Sequence, residues 1–314
     1  MALWNRKKSK DGFAGLAIMT NGIYYLELLR SDTDLAVNRY EFVSYSHGAV
    51  KQDSLVDQEE AVRAIGELSD RIGGFGFEVA LGIPSRDVMI KNVEFPDMDL
   101  EMAKDALHWN FDKNFPYDAS EALYDADVIE LPDGGKQDRV HLVVAAVRRS
   151  KIQGFLERLR DDGLPLSSME PNNVAAFRAI SRGMSIYDHG YIVLIIAAES
   201  LQMMIGYRES SLLFRSVPFP TDSVMSMEEL SNRVVSEIQA TGNYVRTLFR
   251  GINLSTVLLA GDVSVRGPLV DRLKTEFNFS VDIVDPWLRW GITGAPDEAG
   301  EADVVVGLAA RNLI

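Results

Sequence analysis

ALGIPSRDVMIKNVEFPDMDLEMAKDALHWNFDKNFPYDASEALYDADVIE, Ala80 to Glu130, is the stretch from which the rest of the chain is parsed. Ala80 to Ile83 reads as a strand leaving a core, and Pro84 breaks it because proline has no backbone N–H for a ladder. A second strand is expected from Asp87 to Phe95, a helix from Leu100 to Phe115, a stop at Pro116 and a third strand from Leu123 to Leu131. This is a small α+β domain inserted in a larger one. Leu100, Ala103, Leu107 and Phe111 recur at helical spacing and form one apolar stripe. Trp109 and Phe115 lie off that stripe and call for another surface to cover them. The rings are therefore either the insert's own core or the lining of a contact.

The 314 residues allow a substantial core in one large or two medium domains. With 46% apolar and 25% charged residues the composition is that of a soluble globular protein. No cysteine is present, which excludes disulfides, thiolate metal sites and a cysteine nucleophile. A net charge of −14 opposes nucleic-acid binding, which depends on Lys and Arg neutralising phosphates. The longest apolar run, Tyr191 to Ala198, is far short of the ~20 residues of a membrane span. Residues 1–11 lack the apolar core of a signal peptide, and Arg6, Lys7, Lys8 and Lys10 make them a basic stub, expected to be flexible.

Upstream of the insert, Gly15 to Met19 and Ile23 to Leu29 flank Asn21-Gly22, a hairpin signal in which both turn residues take positive φ. A third strand is expected from Leu35 to Tyr45. A helix follows from Gln58 to Ile72, capped by Asp57 with Glu60 and stopped by Gly73-Gly74, and then a strand from Glu78 to Ile83. Downstream come a strand from Arg139 to Val147, a helix with a Ser150–Gln153 capping box, a strand at Leu164 to Met169 and a helix opened by Pro171. The first pattern then returns. Tyr191 to Ala197, Leu201 to Tyr207 and Ser211 to Val217 are strands, and Ser226 with Glu229 caps a helix from Met227 to Arg250 whose apolar positions include Val245 and Leu248. Thr256 to Ala260 is a strand, Gly267 to Phe277 a helix, Val281 to Val284 a strand and Ala302 to Arg311 a closing helix.

Two such βββαβα units describe the duplicated ribonuclease-H-like, actin-like α/β architecture. The expected divisions are 1–11 stub, 12–83 first half, 84–148 insert, 149–190 helical connection completing the first half, and 191–314 second half. Each half should carry a five-stranded sheet, with the insert standing outside against the first half. Leu81-Gly82-Ile83-Pro84, Phe95-Pro96, Leu107-His108-Trp109, Phe115-Pro116-Tyr117 and Val143 to Arg148 resemble the PilM family, actin-like cytoplasmic proteins of type IV pilus assembly. Arg215 to Phe219, Val257 to Leu269, Val284-Asp285-Pro286 and Val304 to Arg311 fall where that family has its second half.

The resemblance implies a cleft between the halves where actin relatives hold ATP and magnesium. Ala17 stands where that family has Asp, Met19 where it has Gly, and Tyr24 where Lys is common. Leu194 to Ala198 supplies no carboxylate, Glu199 comes one turn late, and Gly261 is followed by Asp262 instead of a second Gly. The loss of both metal-organising carboxylates removes the main electrostatic contribution to phosphoryl transfer, so no cofactor, no metal and no catalysis are expected. The resemblance also implies a scaffold at the cytoplasmic face of the inner membrane, peripheral to it through its partners. It would grip the N-terminal tail of the bitopic protein PilN in a groove beside the insert and the first hairpin, with Phe95, Trp109, Phe111, Phe115 and Tyr117 as candidate contacts. The rivals are an active ATPase of the same machine and the cytoplasmic component of a type II secretion platform, whose relatives continue into a membrane span beyond the point where this chain ends, Ile314. A division-type filament former is disfavoured because Asp303 to Ile314 carries no basic amphipathic tail.

Other catalytic signals are slight. His47, His108, His141 and His189 have no spacing that puts two on one helix face. Gly74-Phe75-Gly76 precedes a strand and reads as a helix stop, Ser85 lacks the glycines of a nucleophile elbow, and Asp97 and Asp99 suit a helix start.

Overall fold

The computed structural model describes residues 12–31, 34–132, 138–197, 199–220, 225–249, 251–296 and 302–313. The basic stub lies outside them. In the first half, β1 (Gly12–Ile18), β2 (Gly22–Ser31) and β3 (Asp34–Ser44) form an antiparallel meander. Its first turn runs through Thr20 and Asn21, closed by the Met19 N–H donating to the Gly22 carbonyl at 2.9 Å. Neither Asn21 nor Gly22 has positive φ, so the Asn-Gly signal marks the turn but not its geometry. Gly22 is required for a different reason, since a Cβ there would lie 2.3 Å from the Val43 carbonyl oxygen and 2.7 Å from the Phe42 ring.

A small hairpin, β4 (Val50–Lys51) and β5 (Ser54–Leu55), precedes α1 (Gln58–Ile72) and β6 (Val79–Ile83). Asp57 accepts the Glu60 N–H at the start of α1, and Gly73, at φ 73°, ends it. The insert contains β7 (Met89–Pro96), α2 (Leu100–Trp109), a short α3 (Phe111–Asn114), β8 (Ala122–Val128) and β9 (Arg139–Arg148). The single helix expected from Leu100 to Phe115 is thus two. Asn110 leaves helical geometry at φ −118° and ψ 19°, and its side chain donates to the Ala106 carbonyl, competing with the ladder. The first half is completed by α4 (Arg149–Asp161), β10 (Leu166–Pro171) and α5 (Asn172–Ser181). No capping box forms at α4, because the helix begins one residue before Ser150 and Arg148 offers its start no side-chain bond.

The second half runs β11 (Gly190–Ile196), β12 (Ser200–Tyr207), β13 (Ser210–Pro218), α6 (Met227–Leu248), β14 (Leu254–Gly261), α7 (Val263–Phe277), β15 (Ser280–Ile283), α8 (Pro286–Trp290), β16 (Ile292–Thr293) and α9 (Ala302–Ala309). The Ser226–Glu229 capping box is present. Sheet order is β3-β2-β1-β6-β10 in the first half and β13-β12-β11-β14-β15 in the second. In both, the first three strands are antiparallel and the last two run parallel to the first. The duplication is therefore one of order and direction.

The halves are nevertheless interleaved. β16 pairs in parallel with β3 through Ile292 with Leu35 and Thr293 with Ala36, which makes the first sheet six-stranded instead of five. α9, from the end of the chain, packs on β1 and on α5 of the first half, and α5 in turn touches β11, β12 and β13. These two helices fill the space between the sheets, with Ala175, Ala176, Ala179, Val305, Val306 and Ala309 buried in one shared core. The reason lies in small residues at the contacts: a Cβ on Gly307 of α9 would meet the Ala175 carbonyl oxygen at 1.8 Å, and one on Gly15 of β1 would meet the Ala309 nitrogen at 2.7 Å. Outer cores flank this layer, one under α1 and α4 and one under α6 and α7.

The insert is a β7-β9-β8 sheet with α2 over one face, sealed by Val93, Ala103, Leu107, Phe111, Leu142 and Val144. It is wedged between the halves and does not stand off the first alone. Val147 joins the first half's core while Ile129 joins the second half's. Asn92 Nδ2 donates to the Leu212 carbonyl, Glu130 N–H to Ser210 Oγ at 3.0 Å, and Arg208 pairs with Glu130 at 3.2 Å.

Candidate functional site

The cleft lies where the ends of β1 and β11, the tip of the β4–β5 hairpin and the first turns of α5 and α9 converge. Parallel strands and their following helices bring backbone amides and helix starts together at this end of an α/β sheet. What remains open is a cavity of about 50 Å³, lined among others by Met19, Asp53, Asn172, Asn173, Gln202 and Asp303. Among the described residues no Lys or Arg lines it. That volume has room for a few water molecules, against roughly 300–1,000 Å³ for a typical ligand pocket.

The hairpin tip closes it. Gln52 and Asp53, at φ 48° and 61°, both take the left-handed conformation of a two-residue hairpin turn. Asp53 Oδ1 accepts the Ser85 N–H at 3.1 Å, and Oδ2 accepts from Gln202 Nε2 at 2.9 Å and Ser216 Oγ at 3.2 Å. The Gln52 N–H donates to Glu199 Oε2 at 2.7 Å. A first-half hairpin is thereby tied to β12, β13 and the residue before β12. Burial pushes the Asp53 carboxyl up to about 6, with Asp87 adding to the rise, although the Ser85, Gln202 and Ser216 bonds oppose it. Asp303, at the start of α9, is also pushed up to about 6 by burial, with Asp285 adding and Arg266 and the Gly261 N–H opposing. Asn172 Oδ1, Asn173 Oδ1 and Gln202 Oε1 are buried without a hydrogen-bond partner, the situation that ordered water commonly relieves.

The positions singled out against actin relatives take structural roles. Ala17 is buried in the central core opposite Gly82. Met19 packs on that core, its sulfur 3.5 Å from Asn172 Nδ2. The Tyr24 ring lies 4.6 Å from that of Phe42, and its hydroxyl accepts from Asn21. Gly261, at φ 90°, has no space for a Cβ, which would lie 2.3 Å from the Ile196 carbonyl oxygen, so it serves strand packing. Asp262 caps α7 by accepting the Ser264 N–H at 2.8 Å and does not line the cavity. Sequence reading missed Asp53, Gln202 and Asp303, which lie outside the motif positions it weighed. Asn172-Asn173, two polar residues that are buried at the start of α5, were the available signal.

The aromatic cluster divides. Phe111 and Phe115 are buried and stacked 4.5 Å apart inside the insert, and Phe95 and Tyr117 pack against the same core. These four are therefore not gathered in an open groove; burial of their rings under α2 and α3 is the stronger effect. Trp109 is 81% exposed, and among the described residues its aromatic neighbour is the His108 ring, 5.5 Å away. The concave surface beside the insert lies elsewhere, between β7, β13 and the end of α6: a groove of about 910 Å³ whose apolar wall includes Ile90, Leu213, Phe214, Tyr244 and Leu248. Leu248, expected on the buried stripe of α6, is exposed there beside Tyr244. Tyr244 and Leu248, four residues apart, form a second apolar face on α6.

Among the described residues no helix is long and apolar enough to cross a membrane, and no group of His, Asp and Glu is placed to hold a metal ion. A solved structure described as a PilM–PilN type IV pilus biogenesis complex is similar at 18% identity and a TM-score of 0.76, covering 96% of this chain and 98% of that one. A Bacteroides thetaiotaomicron protein with an actin-like ATPase fold and unknown function is similar at 12% identity and a TM-score of 0.54, covering 98% and 99%. No curated protein matches the chain in sequence. These likenesses give the fold, which is actin-like. The family model for the type IV pilus assembly protein PilM matches residues 15–219, more than half of the 314, and the chain belongs to that family.

Proposed function

We propose that this protein is a non-catalytic scaffold at the cytoplasmic face of the inner membrane, holding the N-terminal tail of a PilN-like bitopic protein in a type IV pilus assembly platform. The observation that carries the non-catalytic part is the cleft: about 50 Å³, no cationic side chain lining it among the described residues, and a hairpin tip bonded across it. A magnesium polyphosphate needs positive charge and open backbone amides, and the residues present fit neither need. The structure that names PilN as its partner belongs to a similar chain, and that pairing supports the choice of partner.

The tail's seat is the groove between the insert and the second half, since short peptides are captured by preformed apolar concavities. A second reading places the tail across α2, favoured by the exposure of Trp109. The test is calorimetric titration with a peptide copy of the tail. Saturable micromolar binding, weakened at least tenfold by Tyr244→Ser with Leu248→Ser, supports the groove. Binding weakened by Trp109→Ala instead supports the α2 site. No binding to wild type at 1 mM peptide, or hydrolysis of ATP by the purified protein, overturns the scaffold reading.

A further inference from the structure

At the end of the second sheet remote from the cleft, the helical layer stops short of β15, leaving Ser280 and Asp282 exposed beside the buried Thr256 and Leu258 of β14. A pocket of about 440 Å³ opens there, walled by Arg182, Met184, Tyr187, His189, Asp282 and Arg289. Two guanidinium groups share its rim. Arg182 lies 4.0 Å over the Trp290 ring, and Arg289 Nη1 donates to the Arg182 carbonyl at 2.9 Å, which fixes both near the opening. Neither forms an ion pair with a carboxylate among the described residues. Next in the chain to its lining residues Tyr187 and Arg289 stand two aliphatic side chains with almost no cover, Ile186 in the 3-10 turn Met184–Ile186 and Leu288 in α8, each 79% exposed.

In a chain of net charge −14, two unpaired arginines flanked by bare aliphatic groups do not serve solubility. The fork of a guanidinium matches a carboxylate bidentately, and a central charged contact ringed by apolar anchors is the anatomy of an interface hot spot. We propose that this pocket docks a segment of a second protein of the assembly platform, one presenting an Asp or Glu side chain between aliphatic residues. A short segment engages only charges within about a Debye length, ~8 Å at physiological salt. A bilayer of anionic lipid would also face Asp282, which lines the same pocket, in a chain of net charge −14, so the protein segment is favoured over the membrane.

This site is separate from the tail groove but rests on the pilus-platform reading, and the experiment distinguishes the two. A strain lacking the protein is complemented with wild type, with Arg182→Glu/Arg289→Glu, and with Ile186→Ser/Leu288→Ser. The serine pair removes exposed groups and guards against a folding defect caused by uncovering Trp290. Failure of wild type to restore pili overturns the platform reading itself. If wild type restores pili, both double variants should lose them at least tenfold while keeping wild-type melting temperature and tail-peptide affinity within twofold. Normal piliation by the serine pair overturns the inference. So does arginine-dependent sedimentation of the protein with phosphatidylglycerol vesicles, which would make the ligand a lipid surface. A benzophenone photocrosslinker at position 186 should give one adduct in cells, dependent on Arg182 and Arg289, whose peptide carries an acidic residue beside aliphatic ones. An adduct without such a residue also overturns it.

Discussion

Asp303 shows how a buried acid in this cleft sets a pH dependence. Its carboxyl is raised from the ordinary 3.8 to about 6 in the folded state, chiefly by burial. Between those values the folded protein binds a proton that the unfolded chain has released, so stability falls as pH rises through this window and the loss is complete above about pH 7. The full effect is about 3 kcal/mol at 1.36 kcal/mol per pH unit. Asp303→Asn, which keeps the shape and cannot ionise, should therefore melt higher than wild type at pH 8 by roughly 5 °C, with the difference fading toward pH 4. Thermal melts across that range check it, and a pH-independent difference would remove Asp303 as the cause. Trp109 gives the opposite kind of residue. With 81% of its surface exposed, Trp109→Ala should leave the melting temperature unchanged within about 1 °C, because exposed substitutions away from special features cost about 0.5 kcal/mol or less. If the tail crosses α2, the same variant loses roughly thirtyfold in tail affinity, about 2 kcal/mol. A large fall in melting temperature would mean that the ring is covered after all.

At the scale of elements, local signals held where local chemistry decides the outcome. Asp57 with Glu60, Gly73 and the Ser226–Glu229 box bound α1 and α6 as their sequences indicate. They failed where a long-range contact overrode them. Asn21-Gly22 is shaped by the approach of β3, and the helix through Asn110 breaks although its apolar spacing continues. β16 has only two residues and is defined by its pairing with β3, so no pattern within it could be read. The candidate site was legible in part: the altered positions Ala17, Met19 and Asp262 could be named, but not the hairpin that fills the cleft, whose bonds join residues about 150 positions apart in sequence. The crossing of α5 and α9 yields a sharper prediction. A Cβ at position 307 would lie 1.8 Å from the Ala175 carbonyl oxygen, which is backbone and cannot rotate away. Gly307→Ala should cost about 1–3 kcal/mol despite alanine's better helix propensity, measured by denaturant midpoint. A gain in stability would show that the two helices separate at little cost.

For the whole molecule, the interleaving of α5, α9 and β16 makes the halves one body around a shared core, and the β4–β5 tip adds polar bonds across the cleft mouth. An actin-like nucleotide site requires these halves to part enough to admit a polyphosphate. Opening here would expose Asp53 and break its bonds to Gln202 and Ser216, and among the described residues no cationic side chain lining the cavity offsets that loss through new contacts with phosphate. Titration with magnesium ATP should accordingly show no heat of binding up to about 1 mM, a concentration at which ~4 kcal/mol of favourable free energy would already give half-saturation. Small-angle scattering should give the same radius of gyration with and without nucleotide. A dissociation constant in the micromolar range would overturn the prediction. So would a change in shape on adding nucleotide, since it would mean that the hairpin tip yields and that the carboxylates of Asp53 and Asp303 are available for another role.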